Sequence, residues 1–257
     1  MIQLAIQSGG IIFIYATIWF IISVIKKRND IADIAWGIGY VLLCIFYIFT
    51  QEYSLRAIIL YSLVILWGVR LSVHISVRNK GKTEDFRYLN WRNEWGKSFL
   101  LRSYFQVYLL QGFFLLIIIS PVAIVAAHTQ PDLSMLDFIG IAVWCIGFYF
   151  QTVGDFQLLR FIKNPLNKGQ VMSKGLWKYT RHPNYFGEVT MWWGIFLISF
   201  HSPYGIYGLV SPLVITFLIV FVSGLPMLER RYDGNPQYEA YRKRTSRFFP
   251  WFQGKFE

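Results

Sequence analysis

Long apolar stretches separated by short polar ones run the length of the chain. A helix needs about 20 mostly apolar residues to cross a bilayer. Seven stretches meet or approach that length, at 6–25, 31–50, 55–77, 103–127, 134–155, 187–201 and 204–226. The pattern predicts an all-α, polytopic membrane protein of seven transmembrane helices, forming one domain over 1–257. The sixth stretch is short: its helix starts within Tyr185–Glu188 or lies tilted.

The basic residues test this layout. Lys26, Lys27 and Arg28 sit in the first short break, seven cations in 78–102, six in 156–186 and seven in the tail from 229, Lys255 among them. These are 23 of the 25 lysines and arginines, and the alternate loops around 51–54, 128–133 and 201–203 hold none. Arg56, at a helix start, and Arg70, inside a helix, make up the rest. Cytoplasmic loops carry the excess of Lys and Arg, so the N-terminus is expected outside and the C-terminus in the cytoplasm. The first positive residue is Lys26, so a basic signal-peptide n-region is missing and the first stretch is expected to be an uncleaved span.

Composition sharpens the class. The 257 residues are 55% hydrophobic, 19% aromatic and only 15% charged, with mean hydropathy +0.41; an ordinary soluble domain carries about 25% charged residues. A secreted disulfide scaffold, a disordered chain and an ordinary cytosolic enzyme are excluded. The net charge of +11 would suggest nucleic acid in a soluble protein. Here it lies in the cytoplasmic loops, so the expected partners are membrane lipid and a lipid-soluble small molecule, not nucleic acid. Cys44 and Cys145 stand singly in apolar runs and offer neither a metal pair nor a disulfide framework. The compact chain, without a retention signal, leans towards a bacterial inner membrane.

Charges inside spans cost about 2.5–3.5 kcal/mol each at a helix centre on insertion scales and need a reason. Asp33, Arg70, His74, Asp155 and Glu188 all fall on the cytoplasmic half of their predicted spans, Arg70 and His74 one turn apart on one face. One such residue alone is explained by snorkelling or helix capping. Five on one side point to a shared polar cavity open to the cytoplasm.

The densest signal is Gly175-Leu-Trp-Lys-Tyr-Thr-Arg-His-Pro-Asn-Tyr-Phe-Gly-Glu188. Arg181 offers a planar fork for phosphate or carboxylate, His182 exchanges protons near neutral pH, and Pro183 suits the first turn of a helix. Asn184 can bond an amide or a ribose, and Gly187 permits close approach of a backbone or ligand. A second strip, Leu228-Glu-Arg-Arg-Tyr232 with Tyr238, Tyr241, Arg242 and Arg244, suits either a dinucleotide or anionic lipid. Gly37-Ile-Gly39 lacks the third glycine of a soluble dinucleotide fingerprint. The four histidines fall in separate segments on both sides of the membrane, so no metal site is expected.

With Lys163-Asn-Pro-Leu-Asn-Lys-Gly169, Asp33-Ile-Ala-Trp-Gly37, Glu84-Asp-Phe-Arg-Tyr88, Val153-Gly-Asp155 and the closing Phe249-Pro-Trp, that motif resembles the DUF1295 branch of the steroid 5-alpha-reductase family over nearly the whole chain. The Arg-His-Pro-Asn-Tyr-Phe-Gly-Glu stretch is shared with a superfamily that includes sterol reductases and isoprenylcysteine-type methyltransferases. The resemblance implies a seven-helix reductase that binds NADPH from the cytoplasm. It carries cofactor contacts to Asp155, Lys163, Arg181, Asn184 and Glu188, with His182 and Tyr185 taken from the same motif. It also carries them to Arg70, His74, Arg78 and Asn79 on span three and to Arg230, Arg231 and Tyr232 near the end. The family's span-two glutamate and span-three tyrosine are not matched: Trp67 stands at the latter position. Asp33 and Tyr40 are the catalytic acids expected in their place.

The leading expectation is hydride transfer from NADPH to an activated C=C bond of a lipid-soluble, steroid-like or isoprenoid substrate. The alternatives are an S-adenosylmethionine-dependent membrane methyltransferase of the isoprenylcysteine or phospholipid type, and a transporter or lipid-binding protein. Polar residues clustered on one side of the membrane, without an inverted repeat, argue against the last.

Overall fold

A computed structural model describes residues 1–254; Lys255, counted above with the basic tail, lies outside them. The described residues form helices and connecting loops with no strand. In chain order the α-helices are α1 (Ile2–Lys26), α2 (Ile31–Thr50), α3 (Leu55–Asn79), α4 (Phe86–Trp95), α5 (Phe99–Arg102) and α6 (Leu110–Ile118). They continue with α7 (Ser120–Ala126), α8 (Met135–Lys163), α9 (Pro183–Ser199), α10 (Val210–Phe217), α11 (Leu225–Arg230) and α12 (Pro236–Arg242). Six helical stretches are long and apolar enough to cross a membrane: α1, α2, α3, Phe86–Ile118, α8 and Gly205–Arg230. The seventh expected span is α9, with 17 residues. At 1.5 Å per residue it is about 25 Å long, against about 30 Å of hydrocarbon.

The chain divides into two compact units, Met1–Leu133 with Ser199–Val210, and Ser134–Ile198 with Ser211–Glu257. In the first, α2 and α3 approach closely at Gly37 and Gly68: a Cβ on Gly37 would lie 2.5 Å from the Gly68 carbonyl oxygen. Small residues of this kind let helices pack in lipid, where no hydrophobic force draws them together. Ser72 Oγ donates to the Ile34 carbonyl at 2.9 Å in the same contact. Arg56, which the charge count left apart, is 1% exposed and donates to the Pro131 and Asp132 carbonyls at 3.1 and 2.9 Å, so it ties down a loop instead of facing water.

The segment expected as loop 78–102 departs from the pattern. It contains α4, and helical structure runs on to Ile118, so the fourth span starts well before residue 103. Asp85 caps α4 by accepting from the Arg87 backbone N–H at 3.0 Å. Two of the charges that marked a loop are neutralised in pairs, Arg87 with Asp85 and Asp33, and Arg92 with Glu84. The span also ends early: Pro121, which cannot continue a helix hydrogen-bond ladder, opens the separate turn α7.

The second unit is built on α8 and α9. Ser134 and Asp137 form a capping box at the start of α8, which runs eight residues beyond the predicted Asp155 to Lys163. Gly140, Gly147 and Gly154 recur every seven residues on one face of α8. Cβ atoms added at the first two would lie 2.7 and 2.6 Å from the carbonyl oxygens of Gly194 and Gly187, and one at Gly154 would lie 3.1 Å from the Pro183 ring. The falling partner numbers make the pair antiparallel, with backbones in direct contact along its length.

Candidate functional site

The register of α8 against α9 decides which polar groups meet. Gln151 and Asp155 lie one turn apart on α8, and Asn184 and Glu188 one turn apart on α9. Two rungs result. Asn184 Nδ2 donates to Asp155 Oδ1 at 3.1 Å, and Gln151 Nε2 donates to Glu188 Oε2 at 3.1 Å. A carboxylate only accepts, so both amides must turn their N–H groups towards it. That leaves Gln151 Oε1 and Asn184 Oδ1 buried without a hydrogen-bond partner; the Thr152 hydroxyl is buried without one as well. Each unsatisfied buried group costs about 1–3 kcal/mol. The two amide oxygens are therefore acceptors without a donor. Gln151 is missing from the residues predicted; its one signal in the sequence is its place four residues before Asp155.

Beside this pair the unit holds a second polar centre, on Glu229. Arg181 Nε and Nη2 both lie 2.9 Å from Glu229 Oε1, His182 Nε2 lies 3.2 Å from it, and Arg247 Nε reaches Oε2 at 3.1 Å. Arg181 Nη1 donates to the Arg242 and Thr245 carbonyls at 3.0 and 3.2 Å. The Tyr238 hydroxyl completes the centre at 3.4 Å, and Tyr241 donates to the Trp177 carbonyl. Burial pushes the His182 imidazole below the ordinary histidine range, and the Glu229 contact only partly restores it. Burial pushes the Tyr238 and Tyr241 phenols up, so they stay protonated donors. Arg181, read from sequence as a fork for phosphate or carboxylate, thus spends that fork on a carboxylate of its own chain. Glu229, 48 residues away, was not predicted; its trace in the sequence is an acid closing the last apolar run.

The remaining predicted residues of this unit are peripheral. Lys163, Arg230, Arg231 and Tyr232 are exposed, with Tyr232 stacked on Tyr238 at 4.6 Å. Tyr185 lies ring to ring with His182 at 5.9 Å.

The first unit has its own polar centre. Asp33 accepts from Arg87 Nη2 through Oδ2 and from the Tyr88 hydroxyl through Oδ1, the latter at 2.8 Å. Asp30 takes both Arg28 Nε and Nη2, and also Asn79 Nδ2 and the Asp85 N–H at 3.5 and 3.3 Å. Glu84 binds Arg92 and the Asn29 N–H. The Asp33-to-Gly37 and Glu84-to-Tyr88 stretches, noticed separately in the sequence, are thus two halves of one network. Tyr40 is wholly buried between Trp36 and Trp67, edge-on to each at 5.2 Å. Arg70, His74, Arg78 and Asn79 are half-buried along α3, and Arg78 Nε donates to Asn79 Oδ1 at 3.2 Å.

An uncharacterized protein of fission yeast, C594.04c of Schizosaccharomyces pombe, is 24% identical over 270 residues, covering 94% of this chain and 78% of its own length. A relative in a eukaryote removes support for the expected bacterial inner membrane; the six apolar helices support a multi-pass membrane protein. No solved structure matches the chain. The model of the family described as "Protein of unknown function (DUF1295)" matches residues 19–245, and the chain belongs to that DUF1295 family.

Proposed function

We propose that this protein is an integral-membrane reductase that uses NADPH to reduce an activated C=C bond of a lipid-soluble substrate, with its seven spans arranged N-terminus outside and C-terminus in the cytoplasm. The observation that carries the proposal is the pair of α8–α9 rungs with their two unpartnered amide oxygens. Asp155, Glu188, Gln151 and Asn184 together accept hydrogen bonds, which matches ribose hydroxyls and a carboxamide N–H₂ and does not match phosphate. Phosphates need cations, and the exposed Lys163, Arg230 and Arg231 of the same unit are suited to them. The residues present therefore fit a dinucleotide, divided between an acceptor-rich and a basic part. When bound, NADPH would supply the hydride.

The chain supplies the rest. Arg181 and His182 bind no cofactor in this reading; they fix the motif by docking it on Glu229. Asp33 has both oxygens accepting, so in this arrangement it holds Arg87 and Tyr88 in place. Tyr40, wholly buried beside Trp36 and Trp67, serves in this reading as packing of the first unit.

The test is calorimetry on detergent-purified protein, with NADPH and S-adenosylmethionine titrated in parallel. NADPH should bind, Asn184→Ala should lose at least about tenfold in affinity with the fold intact, and S-adenosylmethionine should give no heat. Heat from S-adenosylmethionine alone would make the same rungs the seat of a methyl donor and end the reductase reading. Tyr40→Phe keeps the ring packing and should leave NADPH affinity unchanged.

A further inference from the structure

The last described stretch of the chain carries three large aromatic side chains that its unit leaves outside. Phe249, Trp251 and Phe252 are 69%, 66% and 77% exposed. Their backbone is nevertheless fastened. The Arg181 N–H donates to the Ser246 carbonyl at 2.9 Å, Thr180 Oγ1 to the Phe248 carbonyl at 2.8 Å, the Trp251 N–H to the Tyr179 carbonyl at 2.9 Å, and the Gly254 N–H to the Arg244 carbonyl at 3.3 Å. Phe248 turns inwards, 9% exposed and 5.9 Å from the Phe186 ring. The neighbouring aromatic rings are thus held pointing outwards on a fixed bracket, which costs them little further ordering on insertion.

The charges bound to this bracket have one sign. Lys178 precedes Tyr179, Lys243 and Arg244 lead into the segment, and Arg247 lies within it; all four are exposed. Arg247 turns its Nε to Glu229, and the rest of its guanidinium stays at the surface, its side chain 44% exposed. Residues 240–254 contain no acid. Aromatic rings with cations beside them match the headgroup level of an anionic leaflet, where rings enter the acyl boundary and cations meet lipid phosphates. The spans already hold the chain at that surface. A soluble protein partner would need complementary acid and a shaped groove, whereas a bilayer needs neither.

We infer that residues 247–252 form an interfacial anchor that seats the tail on anionic lipid. Through the bonds to Tyr179, Thr180 and Arg181 the same anchor clamps the segment that leads into α9. The inference rests on the membrane character of the chain and is independent of any NADPH chemistry.

The experiment places a bimane label at Phe252→Cys, and separately at Phe249→Cys, in the full chain with Cys44→Ala and Cys145→Ala. The protein is reconstituted into phosphatidylcholine vesicles with and without phosphatidylglycerol. With phosphatidylglycerol, brominated acyl chains should quench the label and aqueous iodide should not; Lys243→Gln with Arg244→Gln should reduce that shielding. Thermal unfolding of each labelled protein, matched to the parent, shows that the fold survives. Equal iodide quenching in both vesicles, with no effect of brominated lipid, would overturn the anchor. Equal brominated quenching without phosphatidylglycerol would overturn its assignment to anionic lipid.

Discussion

Two polar centres stand within the same unit, and they differ in how far they are satisfied. Around Glu229, donors outnumber what the carboxylate needs: two arginines, a histidine and a tyrosine converge on it, and the spare N–H of Arg181 goes to two carbonyls. Along the α8–α9 rungs the reverse holds, and amide oxygens remain with nothing to accept from. A buried network that closes on itself holds a fold in one arrangement; one left short of partners gives up stability for something else to recover. The difference separates Arg181 and His182, which close on Glu229, from Asn184 and Glu188, which belong to the unsatisfied rungs, although all four come from the same 14-residue motif.

That separation can be broken by mutation. Glu229→Ala should have the largest effect, because it leaves Arg181 buried without its counter-charge. About 3–5 kcal/mol of destabilisation is expected, read as a lowered unfolding midpoint in detergent, with ligand binding lost only because the unit unfolds. Gly187→Leu comes next. Even its Cβ would sit 2.4 Å from the Gly147 carbonyl oxygen, so α8 and α9 must part, at a cost of about 1–3 kcal/mol or more. Both rungs would open and NADPH binding should vanish while helix content by circular dichroism persists. Gln151→Leu should behave differently: it removes an unsatisfied acceptor but also the donor to Glu188 Oε2, so the unfolding midpoint should fall by less than for Glu229→Ala, while NADPH affinity falls by about ten- to a hundredfold. If Gln151→Leu instead unfolded the protein, the rungs would belong with Glu229 as structure.

Much of the frame was legible in the chain. Apolar runs of bilayer length are the strongest pattern a sequence can carry, and α1, α2, α3 and α8 begin within a few residues of their predicted starts. The fourth span was not, because Arg87 and Arg92 read as loop charges until Asp33 and Glu84 are seen beside them, and ion pairs 54 and 8 residues apart leave no local trace. The candidate site divides the same way. Asp155, Asn184 and Glu188 stood out because charges and amides are scarce in apolar runs. Gln151 did not, since its importance comes from an antiparallel register that the glycines of two helices set jointly. Arg181 stood out as a fork for phosphate or carboxylate, and only the folded chain shows that the carboxylate beside it is Glu229.

The smallest effect tests the saturated centre through pH. Buried His182 titrates below its unfolded value of about 6.5. The neutral ring is then favoured in the folded protein, so its contribution is fully present above that value and is lost as pH falls through the lower, folded one. The groups facing it pull in opposite directions: Glu229 favours the charged ring, while Arg181 and Arg247 oppose it. The unfolding midpoint should therefore fall on acidification from about pH 7.5 to about pH 5, and His182→Gln should fall less steeply over the same window. The slope that counts is the difference between the two proteins, since carboxylates elsewhere titrate in both. A midpoint that instead rises more steeply with His182 present than without it would mean that Glu229 gains from a second positive partner. The Glu229 centre would then be short of charge, and the contrast with the rungs would be one of degree.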